Sequence, residues 1–165
     1  MDKDKVKLRR YEDDLNVGGL GVAILGAWDV LKVIMHVMIE GKNEINIEGF
    51  AGEDMAIAVG VIIAIVAVIL LIFLLIFKLH LYIGLNASKA ARGEKYKKGY
   101  YKAAIILLVL SVIGMFAYIY ELKDPKNIET TIASFIVDLT SVYVLWLVVS
   151  NTRKIRQINS LREQE

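Results

Sequence analysis

Between Met55 and Phe77 the chain runs for 23 residues without a charged side chain, and Lys78 closes the run. As a helix rising 1.5 Å per residue it is roughly 34 Å long, enough to cross a hydrocarbon core about 30 Å thick. Helices of water-soluble domains interrupt their apolar residues at the helical period, because one face must meet solvent. This run has no such interruption. Three further segments share its character: Ala103 to Tyr120 is charge-free, Thr130 to Val149 carries only Asp138, and Leu15 to Ile39 carries only Asp29, Lys32 and His36. With 56% of its 165 residues hydrophobic, the chain reads as an integral membrane protein with spans at 15–39, 55–77, 103–120 and 128–150. The first segment follows basic residues, as a cleaved secretory signal would. It is longer than a usual signal core and contains Asp29 and Lys32, so it reads as a retained span. There is no cysteine, hence no disulfide, thiolate metal site or redox motif.

Charge orients these segments. The N-terminal stretch supplies Lys3, Lys5, Lys7, Arg9 and Arg10. The loop 78–102 adds Lys89, Arg92, Lys95, Lys97 and Lys98 to Lys78 and Lys102, and the tail adds Arg153, Lys154, Arg156 and Arg162. Only Lys32, Lys42, Lys123 and Lys126 of the 20 basic residues fall elsewhere. The segments 40–54 and 121–129 are instead acidic, with Glu40, Glu44, Glu48, Glu53, Asp54, Glu121, Asp124 and Glu129. Lysine and arginine are retained on the cytoplasmic side during insertion, so both termini and the loop 78–102 are expected inside. Short connections between the first and second and between the third and fourth segments favour hairpins. The expected fold is therefore all-α, an up-down antiparallel four-helix bundle forming a single domain.

Smaller features fill in this frame. Residues 1–14 are a mixed-charge lead-in without an apolar face wide enough to demand a helix. Gly93 is expected to break the chain in the basic loop, and Pro125, the one proline, to end the third helix and set an external turn. Ile155, Ile158 and Leu161 recur at helical spacing among basic residues, as in a short amphipathic helix on the inner leaflet. Tyr96, Tyr100 and Tyr101 alternate with lysines; beside membrane spans this fits headgroup contact rather than nucleic acid, so no nucleic-acid partner is expected.

Gly18-Gly19-Leu20-Gly21 lacks the strand and third glycine of a dinucleotide loop. No nucleophile, phosphate-loop or metalloprotease pattern is present, and the two histidines are expected at opposite membrane edges, with Lys78 and His80 reaching the inner headgroups. No enzyme activity, metal or cofactor is therefore expected. Gly19, Ala23 and Ala27 recur every four residues on the first segment, as do Ala56, Gly60 and Ala64 on the second. Small residues at this spacing let helices approach closely in lipid, within a chain or between copies.

The sharpest chemical feature is charge inside the apolar segments. Asp29, Lys32 and His36 share one helical face. Thr131, Ser134, Asp138 and Ser141 form a stripe on the fourth segment, and Ser111, Gly114 and Tyr118 form one on the third. Asp29 and Asp138 are each ten residues from the external ends of their segments, at Ile39 and Ile128, on the order of 15 Å deep. Such groups cost about 2.5–3.5 kcal/mol each against lipid and so should face protein or water. They can form a structural polar core, or a site that holds a proton or cation. Two readings of function follow. One is a non-enzymatic accessory subunit or homo-oligomer of the plasma (inner) membrane, acting through helix packing with itself or a membrane-protein partner. The alternative is a small transporter or channel using Asp29, Lys32 and Asp138.

Overall fold

The computed structural model describes residues 3–44, 53–116, 128–162 and 164. Most of the expected external loop, the turn at Pro125 and Tyr118 lie outside the described residues, as do the side chains of Lys32 and His36. Four helices make up the described chain: α1 (Lys3–Glu44), α2 (Glu53–Ala91), α3 (Tyr100–Met115) and α4 (Ile128–Arg162). Three of them contain stretches long and apolar enough to cross a membrane, at Lys5–Leu31, Val59–Ala91 and Thr131–Leu161; α3 is apolar but shorter. At 39 residues, α2 is about 58 Å long, close to twice a hydrocarbon core.

α2 stops where its sequence permits a left-handed residue. Gly93 has φ 70°, its N–H donates to the Ala90 carbonyl at 3.3 Å, and the Glu94 N–H donates to the Lys89 carbonyl at 3.0 Å. This paired closure satisfies the last helical carbonyls, and a Cβ at Gly93 would make it strained. The loop that follows is tied back to α2: Asn86 Nδ2 donates to the Tyr82 carbonyl at 2.7 Å and Asn86 Oδ1 accepts from the Lys97 N–H at 2.8 Å.

The packing follows α1–α2, α2–α3, α3–α4 and α4–α1. Residue numbers rise along α1 as they fall along α2 and α4: Asn16 meets Ser88 and Gly26 meets His80, while Gly18 and Gly21 meet Leu147 and Val144. On the far side Tyr100 meets Thr152. The backbones of α1 and α2 come close at Gly19 and Gly84. A Cβ on Gly19 would lie 2.7 Å from the Gly84 carbonyl oxygen, and one on Gly84 would collide with the Gly19 carbonyl. Ala23 packs on Gly84 beside them. By contrast Ala27, Ala56, Gly60 and Ala64 are exposed, and Gly60 has open space around it. The close backbone contact therefore joins the α1 stripe to the last third of α2 rather than to its first.

The buried core sits around this contact, formed by Leu15 and Val22 of α1, Ile83 and Ala87 of α2, Tyr100, Ala104 and Leu107 of α3, and Leu145 and Val148 of α4. Two polar pairs are bonded within it: Ser88 Oγ donates to Asn16 Oδ1 at 2.5 Å, and the Tyr100 and Thr152 hydroxyls share a hydrogen bond at 3.0 Å. Away from the core, the apolar surface is extensive. Nearly every large side chain of α2 from Ile57 to Leu75 is exposed, with Ile106, Ile113 and Phe116 on α3 and Ile136 and Leu139 on α4. An uncovered apolar surface of this extent suits hydrocarbon, not water.

One expectation is corrected. The first residues do not form an irregular lead-in but are helical from Lys3, because the start of α1 lies along the end of α4, with Lys154 Nζ 4.9 Å from the Tyr11 ring centroid. The tail continues the last apolar segment. It is the unbroken end of α4, where Ile155 packs against the core and Arg156 lies 4.5 Å over Tyr101.

Candidate functional site

One cleft of about 270 Å³ draws on all four helices. α1 contributes Asp29; α2 contributes Phe73, Ile76 and His80; α3 contributes Ser111 and Gly114; α4 contributes Asp138 and Ser141. The polar stripes read from the sequence thus converge in part. Asp29, Asp138 and Ser111 meet in one place, and the half-buried Ser134 is not among the lining residues.

His80 is the residue that the sequence reading misplaced. It does not reach toward headgroups: it is 3% exposed, and Nε2 stands 3.5 Å from Asp29 Oδ2. Gly26 makes the room, since a Cβ there would run into the His80 side chain. His80 Nδ1 lies 2.9 Å from the Ile76 carbonyl, one helical turn back. A carbonyl oxygen only accepts, so Nδ1 carries the hydrogen and Nε2 is the nitrogen left to face the carboxylate. In that tautomer a neutral imidazole and an ionised carboxylate would present lone pairs to each other. The contact becomes attractive when the pair holds one more proton, on Nε2 as an ion pair or on Asp29 as an acid. At 3.5 Å the contact is longer than a short hydrogen bond.

The reason His80 was missed is one of register. His80 lies three residues beyond the charge-free run of α2, whereas Gly26 and Asp29 lie near the middle of the α1 run. Because these residues touch, the two apolar runs are staggered, and depth counted from their ends does not transfer from one helix to the other. α2 therefore supplies an ionisable group, His80, to the Asp29 site. A signal was available in the sequence: His80, Gly84 and Ser88 recur every four residues in a helix otherwise dominated by isoleucine and leucine. That stripe is the face α2 turns toward α1.

Ser141 is 7% exposed and lines the cleft, and among the described residues its Oγ has no hydrogen-bond partner. Buried hydroxyls are normally bonded, often to a carbonyl of their own helix; Thr140, beside it, donates to the Ile136 carbonyl at 2.9 Å. Among the described residues, no three His, Cys, Asp or Glu side chains are grouped so as to hold a metal ion.

The basic residues gather at the opposite end from this cleft's apolar wall, around the core. Lys89, Arg92, Lys95, Lys97 and Lys98 are exposed there, with Arg153, Lys154 and Arg156 of α4. Arg92 pairs with Glu94 at 2.8 Å on the surface. Compared with known protein families, with curated proteins and with solved structures, the chain finds no match.

Proposed function

We propose that this chain is a small, non-enzymatic, multi-pass protein of the plasma (inner) membrane that takes up and releases a proton at an ionisable site between its helices. In this reading it is an up-down antiparallel four-helix bundle with both termini cytoplasmic. Support for that topology comes from the opposed register of α1 with α2 and with α4 and from the exposed basic residues around the ends of α2 and α4. Those residues would sit against anionic headgroups, each contributing about 1 kcal/mol of attraction.

The observation that carries the proposal is the His80–Asp29 pair beside Asp138. Ionisable side chains placed among apolar helices are costly and are found chiefly along proton and ion pathways. A purely structural pair would need no cleft beside it. The test is reconstitution into proteoliposomes carrying a trapped pH dye, with an imposed pH gradient. Dissipation should exceed that of empty vesicles and fall to the empty-vesicle rate in Asp138→Asn and His80→Gln. No dissipation by the parent protein would refute the proposal.

A second reading, association with another copy or a membrane-protein partner, draws on the uncovered face of α2 with Ala56, Gly60 and Ala64. Small residues at that spacing favour helix contact in lipid. Mass determination in lipid nanodiscs tests it, and a monomer free of co-purifying protein would remove it.

A further inference from the structure

We infer that the cleft between α1, α2, α3 and α4 is a water-filled vestibule entered from the membrane side opposite the basic loop, and that a layer of apolar side chains closes it toward that loop. This rests on the proposed proton reading and adds the side from which a proton reaches His80 and Asp29.

The closed side is visible on every helix. Toward the basic end, Val22 lies two turns from Asp29 along α1, and Ile83 lies one turn from His80 along α2. Leu107 lies one turn from Ser111 on α3, and Leu145 one turn from Ser141 on α4. All four belong to the buried core, and the most exposed of them, Leu107, is only 6% exposed. Gly19 and Gly84 bring the α1 and α2 backbones together at this level. A second buried layer, from Leu15, Ala87, Ala104 and Val148, follows before the exposed Lys89, Lys98 and Arg153. No water path suits two such layers.

Away from the basic end the pattern reverses. On α4 the stripe that starts at Ser141 continues through Asp138, Ser134 and Thr131. On α3, Ser111 is followed by Gly114, and on α1 the spacing puts Lys32 and His36 on the face of Asp29. The same steps taken toward the basic end give Val22, Leu107 and Leu145. Each of these faces therefore changes from polar to apolar at the level of the cleft. Charged groups against lipid cost about 2.5–3.5 kcal/mol each, so a polar face that continues toward one side of the membrane fits water entering from that side.

Hydration of the cleft itself rests on its lining. Asp29, His80, Ser111, Asp138 and Ser141 bring polar atoms from all four helices to one space. Ser141 is more than nine-tenths buried, and among the described residues its Oγ has no hydrogen-bond partner. Buried hydroxyls are normally bonded, to protein or to ordered water. A buried water needs two to four polar partners, which this lining supplies. About 270 Å³ is roomy enough for several molecules, each taking roughly 30 Å³ in the liquid. Such hydration requires polar groups and no net charge, so it holds whatever partners neutralise Asp29 and Asp138. Water bridging these groups gives the proton a hydrogen-bonded route to the His80–Asp29 pair.

The experiment uses single-cysteine variants of the full, otherwise cysteine-free chain in sealed vesicles of either orientation. The probe is a small, membrane-impermeant, cationic methanethiosulfonate, and Lys97→Cys marks the basic side. Ser141→Cys should react from the side opposite Lys97, at least about tenfold faster than from the Lys97 side and at least about tenfold faster than Leu145→Cys. A dry apolar site raises a thiol pKa, and each unit removes about nine-tenths of the reactive thiolate. On the unmodified chain, solid-state NMR should show magnetisation passing from water to His80 and Ser141 before it reaches Ile83 and Leu107. That measurement does not depend on any variant folding. Reaction of Ser141→Cys from the Lys97 side, from both sides equally, or no faster than Leu145→Cys would overturn the inference, as would equal transfer from water to His80 and Ile83. If Ser141→Cys reacts as expected while the parent dissipates no pH gradient, the vestibule stands and the proton reading falls. If the gradient is dissipated while Ser141→Cys reacts from the Lys97 side, the proton reading stands and the vestibule falls.

Discussion

His80 Nε2 lies 3.5 Å from Asp29 Oδ2, while Nδ1 of the same ring is committed to the Ile76 carbonyl at 2.9 Å. One ring thus joins a helix backbone to a carboxylate on the neighbouring helix. The two side chains differ in exposure, 4% for His80 and 26% for Asp29, so the histidine bears most of the desolvation. Removing its partner is the more damaging change, because it leaves a buried ring nitrogen unpaired. Asp29→Ala is expected to lower stability by about 1–3 kcal/mol in a reversible detergent unfolding assay. The double-mutant cycle of Asp29→Ala with His80→Ala should return a coupling of about 1–2 kcal/mol. Additive effects would mean that the two residues do not interact.

Gly26 and Gly60 give opposite expectations for the same substitution. Gly26→Ala places a Cβ against the His80 side chain, so the ring or the helix must shift, at a cost of about 1–3 kcal/mol. Gly60 has nothing within reach of a Cβ, and Gly60→Ala should be neutral or stabilising by up to about 1 kcal/mol through helix propensity. Unfolding midpoints of the two variants decide the point. A loss of stability at Gly60 instead would indicate that its face is covered by another molecule.

Much of the helix content was legible because lipid-exposed helices need long uninterrupted apolar runs, and α2 from Ile57 to Leu75 is such a run. The convergence of Asp29, Asp138 and Ser111 was legible for a related reason, since polar residues at steps of three and four in an apolar helix mark the face turned from lipid. Register was not legible. Hydropathy along α2 is nearly uniform, so nothing in the run itself says which residue stands beside Asp29. That choice is made by the contact of Gly19 with Gly84, which slides His80 into the site. That the Ser141 hydroxyl finds no partner among the described residues was beyond sequence reasoning too, because a serine on a helix ordinarily bonds its own backbone.

Tyr100 and Thr152 test the core beneath the basic loop. Their hydroxyls share one buried hydrogen bond at 3.0 Å, and Tyr100→Phe leaves the Thr152 hydroxyl without it. A loss of about 1 kcal/mol is expected. Thr152→Val on the Tyr100→Phe background should cost little more, as both polar partners are then gone. Thermal unfolding of the single and double variants measures this.

The absence of cysteine makes orientation directly testable. Lys97→Cys, in the exposed basic loop, should react with a membrane-impermeant maleimide only after inverted vesicles expose the cytoplasmic face. Asn46→Cys, in the acidic segment, should react from outside in intact cells. The reverse pattern would invert the proposed topology.

The central claim is that Asp29 and His80 hold a proton between helices. Nitrogen-15 solid-state NMR of the histidine-labelled chain in lipid bilayers, with His80→Gln to assign the signal, tests it most directly. His80 Nδ1 should keep the signature of a protonated nitrogen at every pH, because of its bond to Ile76. Only Nε2 should change with pH, and Asp29→Asn should alter that change. Free interchange of the two nitrogens, with a pH response indifferent to Asp29→Asn, would place His80 in water and contradict the account.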